Sequence, residues 1–134
     1  MKKLLLFLFL LYSGLAMSQP QPFFDYTPSE IRQKRPNAVW NYDKWGDNND
    51  LMSMGYDAGD VFVIYLFDEN NLSVVTSIVP KTQGNLQTLV EIYNSRYVII
   101  NSKKWKFYQE GTVFLCKLLV TDSGEDFFMW TKEE

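Results

Sequence analysis

The side chains that most often perform chemistry in proteins are scarce in this chain. It contains no histidine and a single cysteine, Cys116. Histidine is the commonest general base, a usual zinc ligand and the middle member of serine and cysteine catalytic triads. The glycines Gly46, Gly55 and Gly59 are spaced as turn residues and match neither nucleotide-binding fingerprint. The sequence therefore predicts a protein that is not an enzyme and needs no cofactor.

Aspartates are the remaining candidates for chemistry, and five of them cluster along one stretch: Asp43, Asp47, Asp50, Asp57 and Asp60. Paired carboxylates can hydrolyse glycosidic bonds, and oxygen ligands such as those of residues 47–50 suit calcium. However, the spacing does not fit the 12-residue calcium loop. Solvated turns favour Asp and Asn for their local hydrogen bonds. We therefore expect turns here, with no metal site and no catalytic pair.

Basic and aromatic residues are interleaved in residues 103–108, as they are in platforms that bind single-stranded nucleic acid. In a strand, alternation places Trp105 and Phe107 on one face and Lys104, Lys106 and Tyr108 on the other. The chain also carries a formal charge of -3, which is a poor electrostatic match for nucleic acid or for an anionic membrane. The prediction is a core face backed by a solvated face, without a nucleic-acid partner.

The first 18 residues have the three-part layout of a secretory signal peptide: two lysines, an apolar run over residues 4–12, and small residues up to Ser18. An apolar run of about nine residues is too short to span a bilayer as a helix. Residues 1–18 are therefore predicted to be cleaved, leaving a periplasmic or secreted protein without stable membrane insertion. Losing Lys2 and Lys3 changes the formal charge from -3 to -5. No cysteine stands immediately after the predicted cut, which disfavours lipid attachment.

The chain after the cut begins with an extended lead-in over residues 19–26, where Pro20 and Pro22 fix the backbone. Thr27-Pro28-Ser29-Glu30 is typical of a capped helix start, and Pro36 ends that helix after about two turns. Strands are predicted at residues 39–43, 51–56, 61–67 and 72–79, separated by turn-forming runs.

After Pro80 the same layout is repeated. Apolar residues at helical spacing predict a second helix, capped near Asn85: Leu86, Leu89, Val90, Tyr93 and Tyr97. Four more strands are predicted at residues 97–101, 104–109, 112–121 and 125–131. We therefore expect one α+β domain over residues 27–134, made of similar halves at 27–80 and 81–134, with helices covering one face of an antiparallel sheet. Cys116 shares a strand face with Phe114 and Leu118, which indicates a buried small hydrophobe.

A capped helix of the form Thr27-x-x-Glu30-Ile31 precedes a meander with the strand Val63-Ile64-Tyr65-Leu66-Phe67-Asp68. This arrangement resembles the helix-plus-meander domains of small bacterial envelope proteins, such as the β-lactamase inhibitor protein and the small lipoprotein of the outer-membrane assembly machine. The likeness covers residues 27–79, with a looser echo over 85–132. Two departures are Arg35, where a glycine is usual, and the missing lipoprotein cysteine. The resemblance implies protein recognition in the envelope through a sheet surface, without a cofactor, and assigns no functional residue.

The strand at residues 61–67 is apolar on both faces, with Val61, Val63, Tyr65 and Phe67 alternating with Phe62, Ile64 and Leu66. Helices on one side of a sheet cannot bury both faces, so the second half of the chain, a dimer partner or a ligand must cover the other. Tryptophan and tyrosine are enriched at interface hot spots. The predicted binding residues are Trp40, Tyr42, Trp45, Tyr65 and Phe67.

These features together predict an exported, non-enzymatic protein-binding module of the bacterial envelope, whose partner is another protein or a second copy. One alternative is a secreted carbohydrate-binding or carbohydrate-cleaving protein, with Trp40, Trp45 or Trp105 stacking on sugar rings. Another is a structural domain that spaces envelope components.

Overall fold

The computed structural model describes residues 22–133. It contains two helices and eight strands: α1 Pro28–Lys34, β1 Asn41–Trp45, β2 Leu51–Asp57, β3 Val61–Phe67, β4 Ser73–Pro80, α2 Gln83–Arg96, β5 Val98–Asn101, β6 Lys104–Gln109, β7 Thr112–Val120 and β8 Asp126–Lys132. The predicted α+β fold with two similar halves is confirmed, because each half is a helix followed by four strands. The predicted signal peptide and the first residues of the lead-in lie outside the described residues.

Helix α1 forms where the capping signal predicts it. The Thr27 hydroxyl accepts the backbone N–H of Glu30 at 3.2 Å, and the Glu30 carboxylate accepts the backbone N–H of Thr27 at 3.2 Å. This reciprocal pair satisfies two of the donors that a helix start leaves without partners. The helix ends at Lys34, ahead of Pro36, and buries Pro28 and Ile31 against the sheet.

Helix α2 begins three residues earlier than the apolar spacing indicates. Its N-cap is Thr82, whose hydroxyl accepts the backbone N–H of Asn85 at 3.1 Å, so the predicted cap at Asn85 is wrong. The Asn85 side chain instead donates to the Asp60 carbonyl oxygen at 2.9 Å, linking the helix start to the β2–β3 hairpin. Leu89 and Tyr93 are buried beneath the helix, as the periodicity predicts. Among residues 22–133, neither helix is long and apolar enough to cross a membrane.

All eight strands form one antiparallel sheet in the order β1-β2-β3-β4-β8-β7-β6-β5. Six of the seven pairings join strands that are consecutive in the chain, through short turns. The seventh joins β4 to β8, the last strands of the two halves. The halves therefore meet at the centre of the sheet, and their first strands, β1 and β5, lie at its two edges.

Strand β1 begins at Asn41 rather than at the predicted residue 39. Pairing with β2 starts at Asn41, opposite Gly55. Just before it, the Ala38 N–H donates to the Arg35 carbonyl oxygen, and Trp40 packs edge-to-face on Tyr56 with ring centroids 4.8 Å apart. Residues 38–40 are thus used to bring the chain from α1 to the sheet edge. Strand β1 also ends two residues later than predicted, at Trp45, and the bounds of the other seven strands agree with the predictions to within one residue.

The core lies between the helices and one face of the sheet. Tyr93 of α2 is at its centre, with edge-to-face contacts to Trp105, Phe128 and Trp130 at centroid distances of 5.7, 4.9 and 5.4 Å. Edge-to-face contacts of this kind add to the energy of burial. Cys116 is buried in the same cluster, which confirms its predicted place.

Candidate protein-binding face

The two faces of the sheet differ sharply in burial, and β3 shows the difference best. Val63, Tyr65 and Phe67 point toward the helices and are 0% exposed. Phe62, on the opposite face, is 45% exposed, and its neighbours Ile64 and Leu66 are half-buried. Helices α1 and α2 therefore cover one face, called the helix face here. The face that carries Phe62, Ile64 and Leu66 is called the open face.

The second half of the chain does not cover the open face. It continues the sheet edge to edge through the β4–β8 pairing, so its own strands extend the same two faces. None of the apolar side chains on the open face belongs to the cluster that packs around the core. Of the three covers considered for this surface, the second half is therefore excluded within the part of the chain that the structure describes.

Tyr65 and Phe67 require a correction. Both lie on the helix face and are fully buried, Tyr65 beside Phe23 with ring centroids 5.6 Å apart. A partner arriving from solvent cannot contact them in this fold, so they are core residues. Alternation predicted correctly that one set of β3 side chains faces outward. The outward set is Phe62, Ile64 and Leu66.

Trp40, Tyr42 and Trp45 do not form one surface either. Trp40 packs on the core rings of Tyr56 and Tyr65. Tyr42 is on the helix face of β1, where its hydroxyl accepts a hydrogen bond from Arg32 Nη1 at 2.8 Å. Trp45 is on the opposite side of β1, and its indole N–H donates to the Met52 carbonyl oxygen at 2.8 Å. Of the five predicted binding residues, Trp45 alone lies on the open face.

The register places an apolar band across the middle of the open face. Leu66 pairs with Val75 and Ile64 with Ser77, while Met129 pairs with Ser77 from the other side of the central seam. Side chains directly opposite each other in an antiparallel pair are close enough to touch. The apolar band consists of Phe62, Ile64, Leu66, Val75, Val79, Leu115, Leu119, Phe127 and Met129, none of which is fully buried.

Two lysines lie side by side at one end of the apolar band. Lys104 of β6 and Lys117 of β7 are directly opposite each other in the register, and Lys117 is next to Met129. Like charges in this position repel each other. Three ion pairs are present among residues 22–133, and none includes either lysine. This lysine pair is a local excess of positive charge without an acidic partner in the described chain.

Acidic side chains lie at the opposite end of the same face. Asp43 of β1 pairs with Ser53, and Asp57 of β2 pairs with Phe62, so both are on the open face. Asp57 also accepts a hydrogen bond from Lys81 Nζ at 2.6 Å, and this bond is the largest cause of its lowered pKa. The acidic rim, Asp43 and Asp57, is four to six strand spacings from the lysine pair, or about 19–29 Å. Attraction over that distance is screened at physiological salt.

Asp57 and Asp68 also stabilise turns. Asp68 Oδ1 accepts the backbone N–H groups of Asn70 and Leu72 at 2.9 and 3.0 Å, and Asp57 Oδ1 accepts that of Gly59 at 2.8 Å. Gly59 has φ of 96°, a conformation that glycine adopts without strain. Among the described residues, no group of three Cys, Asp or Glu side chains is arranged to hold a metal ion. The geometry is that of hydrogen-bonded hairpins.

A small aromatic cleft lies on the helix side of the sheet, near the start of the described chain. It measures about 250 Å³ and is lined by Pro22, Phe24, Tyr97, Phe107, Gln109 and Phe114. The rings of Phe24 and Phe114 are stacked in its wall with centroids 4.9 Å apart. Its volume is below the range typical of small-molecule sites, which begins at about 300 Å³. The size of the cleft therefore argues against a small-molecule site.

Lys117, Met129 and Leu115 are residues of the candidate face that sequence reasoning missed. Alternation places them together on the outer side of β7 and β8, but the pairing of β8 with β4, which joins them to the apolar side chains of β3, depends on strand order, for which the chain carries no local signal. Comparison with protein families, curated proteins and solved structures finds no match to this chain.

Proposed function

We propose that this chain is an exported, non-enzymatic module of the bacterial envelope that binds a protein through the open face of its sheet. The observation that carries the proposal is the apolar band, a continuous set of aliphatic and aromatic side chains that neither helix covers. Contiguous apolar patches on a soluble domain are typical of surfaces that bind other proteins.

The composition of the face supports a protein partner over a small ligand. It is a broad sheet surface with an apolar centre and charged ends, which matches the apolar core and polar rim of protein interfaces. Export is supported by the signal-peptide layout of residues 1–18, and the envelope by the resemblance to helix-plus-meander domains. The carbohydrate alternative loses one of its stacking residues, because Trp105 is fully buried.

A photo-crosslinking experiment tests the proposal in the source cells. A photoreactive phenylalanine analogue replaces Phe62, which is 45% exposed on the open face, or Val39, which is 82% exposed outside the sheet. The expected result is a discrete protein adduct from position 62 and none from position 39. A second pair, Phe62→Asp and Val39→Asp, should show loss of the complex for the first variant alone.

Equal adducts at both positions would contradict the proposal, as would the absence of any protein adduct at position 62 in folded protein. Circular dichroism of each variant shows whether the fold is retained. The mass of the purified protein also tests the export prediction, because cleavage after Ser18 removes both N-terminal lysines.

A further inference from the structure

We propose that the partner on the open face is a second copy of this chain, stacked face to face about a twofold axis parallel to strands β4 and β8. This inference rests on the proposed function and names its partner. It is carried by the distribution of charge on the face, which is self-complementary in one orientation and repulsive in the other.

The strand order decides the orientation. A twofold axis that runs along the β4–β8 seam places β2 of one copy over β6 of the other, and β3 over β7. The acidic rim of each copy then lies beside the lysine pair of its partner: Asp57 is two residues along the strand from the point opposite Lys104, and Asp43 lies over β5, one strand away. A twofold axis perpendicular to the strands would place β1 over β1 and β6 over β6, with lysine facing lysine. Opposite charges across an interface set its orientation, and like charges exclude the alternative.

Gly55 marks the position of the contact on β2. It lies on the open face between Asn41 and Ile64 in the register, with the acidic Asp57 two residues along the same strand. A Cβ at this position would lie 3.0 Å from the Val63 carbonyl oxygen and 3.4 Å from Ile64 Cγ1, so β3 approaches too closely for a larger residue, and no side chain of β2 projects here toward a partner. In the proposed dimer Lys104 of the partner lies over Gly55, where its ammonium group can reach Asp57 and Asp43. This contact adds Lys104 to the ion pair that Asp57 already forms with Lys81, and gives Lys104 a negative partner that the described chain does not supply.

The face is large enough for a stable dimer. The six strands from β2 to β6 are separated by five spacings, about 24 Å in all, and strands of seven residues are about 24 Å long, which gives about 600 Å² per copy. Stable interfaces begin at about 600 Å² per partner, or about 1,200 Å² in total. Antiparallel sheets stack about 10 Å apart with their strands within about 30° of each other, so the two open faces would form the second core of a sandwich.

Two charge-reversal variants and their mixture test the proposal by sedimentation equilibrium, on protein with the N terminus that the cell produces. The wild type is expected to have twice the molar mass of one chain. One double variant reverses the lysine pair (Lys104→Glu/Lys117→Glu) and the other reverses the acidic rim (Asp43→Lys/Asp57→Lys). Each should weaken self-association at least tenfold, because charges of the same sign then face each other. Mixing the two variants should restore a one-to-one dimer, since one copy is acidic at both ends and the other is basic at both ends.

Lys34→Glu/Lys44→Glu is the matched control. It changes the net charge equally, but both lysines are exposed away from the open face, one on α1 and the other on the helix face of β1. It should dimerise like the wild type. A dimer that survives both open-face reversals, or a mixture that stays monomeric, would overturn the proposal.

The result separates this inference from the proposed function. A wild-type monomer whose position 62 crosslinks to a different protein would refute the second copy as partner and leave the binding face intact. A monomer without any adduct at position 62 would refute both.

Discussion

At the residue scale, several ionisable side chains are held in the core without charge. Burial raises the pKa of the Cys116 thiol and of the Tyr65 and Tyr93 hydroxyls well above their ordinary values. The cause in each case is the loss of hydration that would otherwise stabilise the anion. These groups stay protonated in the folded chain, while in the unfolded chain the thiol ionises near pH 9 and the hydroxyls near pH 10.

Stability is therefore expected to fall in alkali. A group whose pKa is raised by folding stabilises the protein below its unfolded pKa, and that stabilisation is lost as the pH rises above it. Urea unfolding of the wild type and of Cys116→Ala, measured from pH 7 to pH 10.5, should show a stability difference that shrinks above pH 9. Val120→Ala, at an exposed position of the same strand, is the control. A difference between Cys116→Ala and wild type that does not depend on pH would contradict the assignment.

The residue scale also shows how far alternation can be used. The sequence placed Cys116 and Trp105 in the core correctly, because the opposite faces of their strands carry lysine. In β3 both faces are apolar. Alternation therefore divides its side chains between two faces but does not indicate which face the helices cover. That choice depends on the crossing of α1 and α2 over the sheet, and it is why Tyr65 and Phe67 were assigned to the wrong surface.

At the element scale, the lead-in is tied to β4 by hydrogen bonds to two buried hydroxyl residues. The Phe23 N–H donates to Thr76 Oγ1 at 3.2 Å, and the Tyr26 N–H donates to Ser73 Oγ at 3.1 Å. The Ser73 N–H in turn donates to the Tyr26 carbonyl oxygen at 2.9 Å. These bonds hold Phe23 against Tyr65 and fix the point from which α1 begins.

Replacing Thr76 with valine should cost about 1–3 kcal/mol, because it leaves the buried Phe23 N–H without an acceptor while conserving side-chain shape. Thr76→Ser keeps the acceptor and loses a methyl group, so the Phe23 amide should stay better protected from hydrogen exchange than in the valine variant. Urea unfolding gives the free energies, and hydrogen exchange of the Phe23 amide reports the bond itself. Equal protection of that amide in the valine and serine variants would refute the role of the hydroxyl.

Helices and hairpins are predictable from the sequence where capping residues or turn residues mark their ends. The capping box at Thr27 fixed the start of α1, and short polar turns fixed the hairpins. The start of α2 was placed too late because its first turn, from Gln83, is polar and carries no apolar signal. Thr82 could have been recognised as the cap from its residue type alone, three residues before Asn85.

At the scale of the whole molecule, the sequence predicted two similar halves but not how they join. Turn chemistry predicts that consecutive strands pair, which is true of six of the seven pairings. The seam pairs Val75 with Thr131 and Ile78 with Phe128, residues that are distant in the chain. No local pattern encodes such a contact, so a sandwich of two sheets and a single continuous sheet were both compatible with the sequence. The open face exists because the chain takes the second arrangement.

The seam also has a consequence for how fast the protein folds. Hairpins close short loops quickly, whereas pairing β4 with β8 must close a loop that contains α2 and three strands, with the entropy cost that such closure carries. We expect this late, non-local step to limit the folding rate. Ile78 in the seam and Ile31 on α1 are both fully buried, so the same substitution at each position can be compared.

Each Ile→Val change should cost about 0.5–1.5 kcal/mol. In stopped-flow refolding, Ile78→Val should lower the folding rate, whereas Ile31→Val should mainly raise the unfolding rate. The reverse pattern would mean that α1 docks before the halves meet. If the expected pattern holds, the halves stay separate until the end of folding, and the chain is most exposed to pairing with the wrong copy during that interval.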